Sequence, residues 1–293
     1  MLAAPEQRQM SVWSQMPAAL RAPRRSAWAD INMGGRELGC FLEGPVFDDA
    51  GNLFLVDIPF GRILRIDPSG QWEIVAAYDG WPNGMKWRNG QLLIADHKLG
   101  LVELDPGSGR HRVLFGAIGD QPLLGLNDLT FAPDGTLYLT DQGQSGLHEP
   151  VGRVLRRAAN GTLDIILQNC PSPNGLVFDA QRGWLYVAMT RGNCVWRVPF
   201  VEGRPSKVGL AIQLSGGIGP DGMALDADGH LLVVHPPLGV WQFDQHNMPR
   251  RFFAAPENAY VTNLVTRRQA DEVGLFVTDS INGRVLFGDL AGA

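Results

Sequence analysis

The chain has 293 residues, 45% of them hydrophobic and 19% charged, with 36 Gly, 20 Pro and a formal charge of −5. That length and apolar content suffice for a large core, and the supply of turn residues suits an all-β chain folded as one domain. The basic residues are scattered apart from Arg21, Arg24 and Arg25, which argues against a nucleic-acid footprint. No apolar run approaches the roughly 18 residues of a membrane span and no secretory leader is visible, so a cytoplasmic protein is expected.

Residues 1 to about 10 read as weakly ordered, as chain ends usually are. Val12, Trp13, Met16, Ala19 and Leu20 share one face at helical spacing, which predicts a short helix within Ser11 to Arg21 of an N-terminal extension, residues 1–35. Arg36 to Phe41 then offers an outer strand to complete a last blade left one strand short at Gly283 to Asp289.

From there the chain repeats one unit. Its clearest copy opens on Asn127, alternates to Phe131, turns at Pro133-Asp134-Gly135 and returns as an alternating strand to Asp141. Relatives of this hairpin open at Glu43, Asn83, Asn174, Asp221 and Asn263, so the openings recur every 40 to 47 residues. A period of that length is the signature of propeller blades. The predicted fold is a six-bladed β-propeller over residues 36–293, its ring closed by pairing N- and C-terminal strands. Each opening residue then begins an innermost strand and points to one axis from one end. The loops between the second and third strands return to that same end, and the longest is Gln142 to Val151.

Carboxylates and amide oxygens gathered on an axis are hard donors, suited to Ca²⁺, or to Mg²⁺ and Mn²⁺ in a tighter cavity. Glu43 and Asp221 would neutralise a divalent charge. Asn83 and Asn263 read equally well as backbone-bonding residues, and Asp57, Asp96, Asp141 and Asp279, at the ends of returning strands, as turn caps. Cys40, Cys170 and Cys194 form no Cys-x-x-Cys pair and are read as buried thiols.

Phe41-Leu42-Glu43-Gly44-Pro45, Asn127-Asp128, Ser172-Pro173-Asn174-Gly175-Leu176 and Gly219-Pro220-Asp221-Gly222-Met223 together resemble the metal-binding motifs of the gluconolactonase and regucalcin (senescence marker protein) family. The resemblance runs over about residues 40 to 290 and implies a six-bladed propeller. It also implies ligation of one divalent cation by Glu43, Asn127, Asn174 and Asp221, and lactone hydrolysis with Asp221 doubling as base. Ca²⁺ is the first choice of cation, with Mg²⁺, Mn²⁺, Fe²⁺ or Zn²⁺ as alternatives. Asp128 is expected to support the neighbouring ligand from behind.

One departure from the family is that its sugar-lactone members resemble one another in an Arg two positions before the third-blade Asn, where this chain has Gly125. That weakens the case for a sugar acid. Trp81, Asn83, His148 and Arg191 are the expected substrate contacts, and Trp81, Phe60, His97, His148 and Arg191 could form a more apolar wall. The leading expectation is a metal-dependent lactonase acting on a small sugar-acid or aromatic-catabolite lactone. A broader esterase or phosphotriesterase and a non-catalytic binding propeller are the alternatives. The expected partner is the small lactone, with no nucleic acid or membrane, and a homodimer is left open.

Overall fold

Period-two alternation and tight turns generate six blades of antiparallel strands, and the computed structural model describes them over residues 4–269 and 272–291. Blade one is Leu42–Phe47, Leu53–Asp57, Arg62–Ile66 and Trp72–Ala77, in sheet order from the axis outward. Blade two runs from Pro82–Arg88 to His111–Phe115, blade three from Leu126–Phe131 to Leu163–Cys170, and blade four from Pro173–Asp179 to Gly209–Gln213. Blade five begins at Met223–Leu225 and blade six at Val261–Gln269. The cores lie between and within blades, where Phe54, Phe253 and Phe276 are among the largest fully buried side chains.

The ring closes between the two ends of the chain as expected, but through a different segment. Ser11–Gln15 is a strand that pairs antiparallel with Arg284–Asp289 and becomes the outer strand of blade six. The apolar spacing that suggests a helix there is met by a strand, because the open edge of blade six needs hydrogen-bond partners and a five-residue stretch can take either form. Trp13 packs edge-on against Phe276 at 5.1 Å, and Trp72 Nε1 donates to Ser14 Oγ at 2.8 Å. Only Ala18–Leu20 of the expected helical stretch forms a helical turn, a 3₁₀ one.

Glu6–Gln9, in the stretch expected to be weakly ordered, adds a fifth strand parallel to Pro249–Ala254 on the outside of blade five. Arg8 Nη1 donates to the carbonyls of Asp289 and Ala291, tying that strand to the chain's other end.

Arg36 to Phe41 is not an outer strand. It descends from a cap that begins with the helix Ala27–Asn32, whose Ser26 Oγ accepts from Ala29 N–H at its start. An Arg24–Leu38 bridge closes the base of the cap, Ala29 and Leu38 are buried in the blade-one cluster, and the Arg24 guanidinium lies 3.9 Å above the Phe60 ring. Arg62 Nη1 also donates to Leu20 O at 3.0 Å.

The aspartates that end second strands are architectural, as expected. Oδ1 of Asp57, Asp96, Asp141 and Asp279 accepts from the backbone N–H of Phe41, Trp81, Gly125 and Tyr260 respectively. Asp57, Asp141 and Asp279 are also paired with Arg62, Arg153 and Arg284 at the start of the third strand. The three cysteines are buried and free, and burial pushes the Cys40 and Cys170 thiols up to about 12.

Candidate active site

The opening residues reach the axis because the innermost strands are irregular at that point. The register of the inner pair shifts between Glu43 and Val46, Pro82 and Met85, Leu126 and Leu129, Pro173 and Leu176, and Val261 and Leu264. A bulge of this kind raises local twist and re-aims a side chain. The residue after the opening one is glycine in four blades, and close approach of the neighbouring blade requires it. A Cβ on Gly84 would lie 2.1 Å from Asp128 Oδ1, and one on Gly222 would lie 2.2 Å from Asn263 Oδ1.

Glu43, Asn83, Asn127, Asn174 and Asp221 all line one cavity of about 220 Å³ at the axial mouth. Asn263 does not line it, and instead its Nδ2 donates to Glu43 Oε2 at 2.7 Å. A second tier comes from the residue just after the second strand in five of the six blades, namely Ile58, His97, Gln142, Thr190 and Pro236. This second tier carries a signal that was readable in the sequence, since it recurs at one place in five blades, but only His97 stood out as chemically suggestive. Gln142 joins the two tiers. Asn127 Nδ2 donates to Gln142 Oε1 at 3.1 Å and Gln142 Nε2 donates to Ser172 Oγ at 2.9 Å, and the Asn127 amide oxygen has no donor among the described residues.

Burial raises the Glu43 carboxyl to about 7, with Asp128 adding repulsion against the hydrogen bonds from Gly44 and Asn263. The Asp221 carboxyl is also pushed well up, by burial first and then by the charges of Glu43 and Asp128. Asp128 is raised for the same reason, burial. Among the described residues no ion pair reaches any of these three acids. Such a group of acids is unfavourable unless neutralised, and the donor set of two carboxylates and two amides matches a hard divalent cation.

Among the described residues, the group of three Asp, Glu, His or Cys side chains whose ligand atoms lie within 4.8 Å of one another is Asp226, Asp228 and His230, on the opposite end at the turn of blade five. Asp226 is committed there to its own turn. It accepts from the backbone N–H of Asp228 and His230 and from Gln242 Nε2, and contacts His230 Nδ1.

The expected substrate contacts separate. Arg191 lines the cavity and its charge favours ionised Asp221. His148 lies on the exposed long loop, in an adjoining depression it shares with Asn32, Gln144 and Arg191. Trp81 lies outside the cavity lining, half-buried against the blade-one cluster, 6.0 Å from the His97 ring. Phe60 is covered by Arg24 and Arg62, and does not line the cavity either. His235 is 1% exposed and structural, bonded through Nε2 to Gly216 O and accepting from Trp241 Nε1. The apolar surface of the cavity instead comes from Trp28, Met33, Phe41, Ile58, Ile218 and Tyr260.

Gly125 has a specific steric consequence. A Cβ placed on it would meet His97 Cε1 at 2.3 Å, and its φ is +139°. The missing side chain is what admits the His97 ring to the cavity. Burial lowers the pKa of His97, keeping the ring neutral near pH 7, and neither ring nitrogen has a hydrogen-bond partner among the described residues. Gly125→Ala is expected to displace His97 and cost about 2 kcal/mol, the range for overpacking plus a strained φ. A urea midpoint gives the cost and the His97 Hε1 resonance reports the displacement; an unmoved resonance would contradict the steric reading.

Residues 41–281 match the family model described as SMP-30/Gluconolactonase/LRE-like region. A gluconolactonase of Zymomonas mobilis is 29% identical over 170 residues, covering 50% of this chain and 48% of the relative. The match thus spans about half of that relative's length. Lactonase drp35 of Staphylococcus aureus is 28% identical over 70% of this chain and 65% of its own. The diisopropyl-fluorophosphatase of Loligo vulgaris is 27% identical over 66% and 71%. In fold, a gluconolactonase from Xanthomonas campestris superposes with a TM-score of 0.74 at 21% identity, covering 94% of this chain and 97% of that one. A calcium-binding regucalcin from Agrobacterium tumefaciens also gives 0.74 at 21%, covering 98% and 95%.

Proposed function

The chain belongs to the SMP-30/gluconolactonase/LRE-like family, and on that premise we propose that it hydrolyses small lactones with the help of one divalent cation, Ca²⁺ first. The observation that carries this reading is the set of buried acids and amides, Glu43, Asp221, Asn127 and Asn174, lining one axial cavity with no ion pair to either acid among the described residues.

Those four residues would hold the cation, which when bound supplies an electrophile for the lactone carbonyl and for the negative charge that builds on its oxygen. The Asn127–Gln142–Ser172 chain fixes which face of the Asn127 amide is presented. Asp221 is held by its backbone, with its N–H on Val234 O at 2.9 Å and its carbonyl accepting from Gly175 N–H at 3.2 Å. Its carboxylate would accept a proton from the attacking water. As the acyl–oxygen bond of the ring breaks, the same proton passes to the departing alkoxide, and a hydroxy acid results. Asn263 keeps Glu43 oriented through the 2.7 Å bond to Oε2.

The test is hydrolysis of a lactone panel after chelation and after return of each cation. We expect chelation to remove at least about 99% of the rate and Ca²⁺ to restore it, in keeping with the loss of the main electrostatic contribution. A rate indifferent to chelation would end the metal-dependent reading. The likeness to diisopropyl-fluorophosphatase favours one second reading, a phosphotriesterase. Including diisopropyl fluorophosphate in the panel decides between them by the ratio of kcat/KM values.

A further inference from the structure

The cavity wall is divided by chemistry around the ring. Blades two to four contribute Asn83, His97, Asn127, Gln142, Asn174 and Thr190, all polar. Blades five, six and one contribute Ile218, Pro236, Tyr260, Phe41 and Ile58, an unbroken apolar arc apart from Asp221, Glu43 and the Tyr260 hydroxyl. The N-terminal cap then extends that arc upward. Trp28 lies 4.8 Å from the Phe41 ring at 52°, and Phe41 meets Tyr260 edge-on at 6.0 Å. Met33, on the same cap, also lines the cavity, and the cap's polar contribution is Asn32, whose Nδ2 donates to Trp28 O at 3.0 Å.

This arrangement is built rather than incidental. The helix Ala27–Asn32 buries Ala29 completely against blade one, and Arg24 on Phe60 and the Arg62 bond to Leu20 O anchor the chain on either side of it. Trp28 stays half-buried with its ring lining the cavity, so it has surface left for a ligand.

We propose that Trp28 is a specificity-determining residue and that, with Phe41, Ile58 and Tyr260, it selects lactones carrying an aryl or alkyl substituent over polyhydroxylated ones. The inference rests on the lactonase reading above and deepens it. With the lactone carbonyl turned to the cation that Glu43 and Asp221 would hold, a substituent on the lactone ring has two directions. Toward blades two to four it meets amides, His97 and Thr190. Toward blades five, six and one it meets rings and aliphatic chains that offer a hydroxyl almost no partner. A hydroxyl placed there loses its water without replacement, whereas a phenyl group gains apolar burial and ring packing. The polar arc cannot receive every hydroxyl of a sugar lactone at once, because those hydroxyls are distributed around its ring.

Three δ-lactones with one ring size test this: D-glucono-δ-lactone, unsubstituted δ-valerolactone and 6-phenyl-δ-valerolactone. With the Ca²⁺-loaded protein, kcat/KM for the phenyl compound is expected to exceed that for δ-valerolactone by about tenfold or more, with gluconolactone the poorest, within the reach of apolar pocket discrimination. In Trp28→Ala the ratio of kcat/KM for the phenyl to the unsubstituted lactone should fall about tenfold. A ratio is insensitive to the fraction of variant that folds. Gluconolactone as the best substrate, or an unchanged ratio in Trp28→Ala, overturns the proposal while leaving lactone hydrolysis intact.

Calorimetry with the non-hydrolysable lactam 6-phenylpiperidin-2-one separates the two readings. If no lactone is opened but the lactam binds about tenfold more weakly to Trp28→Ala, the lactonase reading fails and the apolar selection stands. If the lactam binds both proteins alike or neither, the apolar selection fails as well.

Discussion

Asp221→Asn is expected to lower kcat for lactone opening by about a thousandfold at saturating Ca²⁺, the middle of the range for removing a positioned base. The substitution keeps the shape and the hydrogen-bonding size of the side chain, and the backbone bonds to Val234 and Gly175 do not involve the carboxylate, so the fold should persist. Two effects separate in the kinetics. Loss of a negative donor weakens cation affinity, which excess Ca²⁺ overcomes, whereas loss of the proton acceptor persists at any Ca²⁺ concentration. The measurement is kcat against Ca²⁺ for both proteins with near-ultraviolet circular dichroism as a check on folding. A variant that recovers to within a few-fold of the parent at high Ca²⁺ would remove Asp221 from the role of base.

The chelated protein should lose stability as pH rises, the reverse of a protein held by ionised carboxylates. Glu43 is raised in the folded chain, to about 7 from an ordinary 4.5, so its neutral form is the one the folded state prefers. Its contribution is then fully present below about 4.5 and is lost as pH rises through about 7. The interval corresponds to roughly 3 kcal/mol for this group alone, and Asp221 is shifted in the same direction. Ca²⁺ reverses the trend, because it favours the ionised pair. At a thousandfold excess over its Kd it adds about 4 kcal/mol. Urea midpoints at pH 5.5 and 8.0, each with chelator and with Ca²⁺, should show a Ca²⁺ increment that grows with pH. Equal midpoints with chelator at both pH values would mean that Glu43 and Asp221 are not the strained pair described.

The sites of both predictions were legible before any coordinates. The six opening residues stand out because each begins a hairpin whose own alternation and turn identify it, and their recurrence every 40 to 47 residues sends them to one axis; that Glu43, Asn127, Asn174 and Asp221 among them hold a cation is what the family resemblance implies. The apolar wall was not legible in the same way. Trp81 and Phe60 are adjacent in sequence to site elements and looked suited to it, yet one packs into the blade-one cluster and the other lies beneath Arg24 and Arg62. Trp28, which does line the cavity, belongs to a cap with no repeat to mark it, and Tyr260 holds the same place before its inner strand as Phe41, Trp81 and Gly125, where residue type varies from blade to blade. His97 needed a contact between blades two and three to be understood, since it fills the space above Gly125.

By itself the sequence determined what depends on near neighbours along the chain: six hairpins, their turns, the aspartates that cap them and the opening residues that converge. These follow from alternation and turn chemistry within a few residues, so local order is enough to specify them. Only the tertiary structure decided where the first forty residues go. Ser11–Gln15 became a strand because Arg284–Asp289, at the other end of the chain, presented an unpaired edge. The segment between that strand and Leu42 then had to cross the mouth of the ring, and the Ala27–Asn32 helix capped it there by burying Ala29 on blade one. Choices of that kind are made by hydrogen-bond demand and packing between residues far apart in the chain, and no pattern within the segment encodes them.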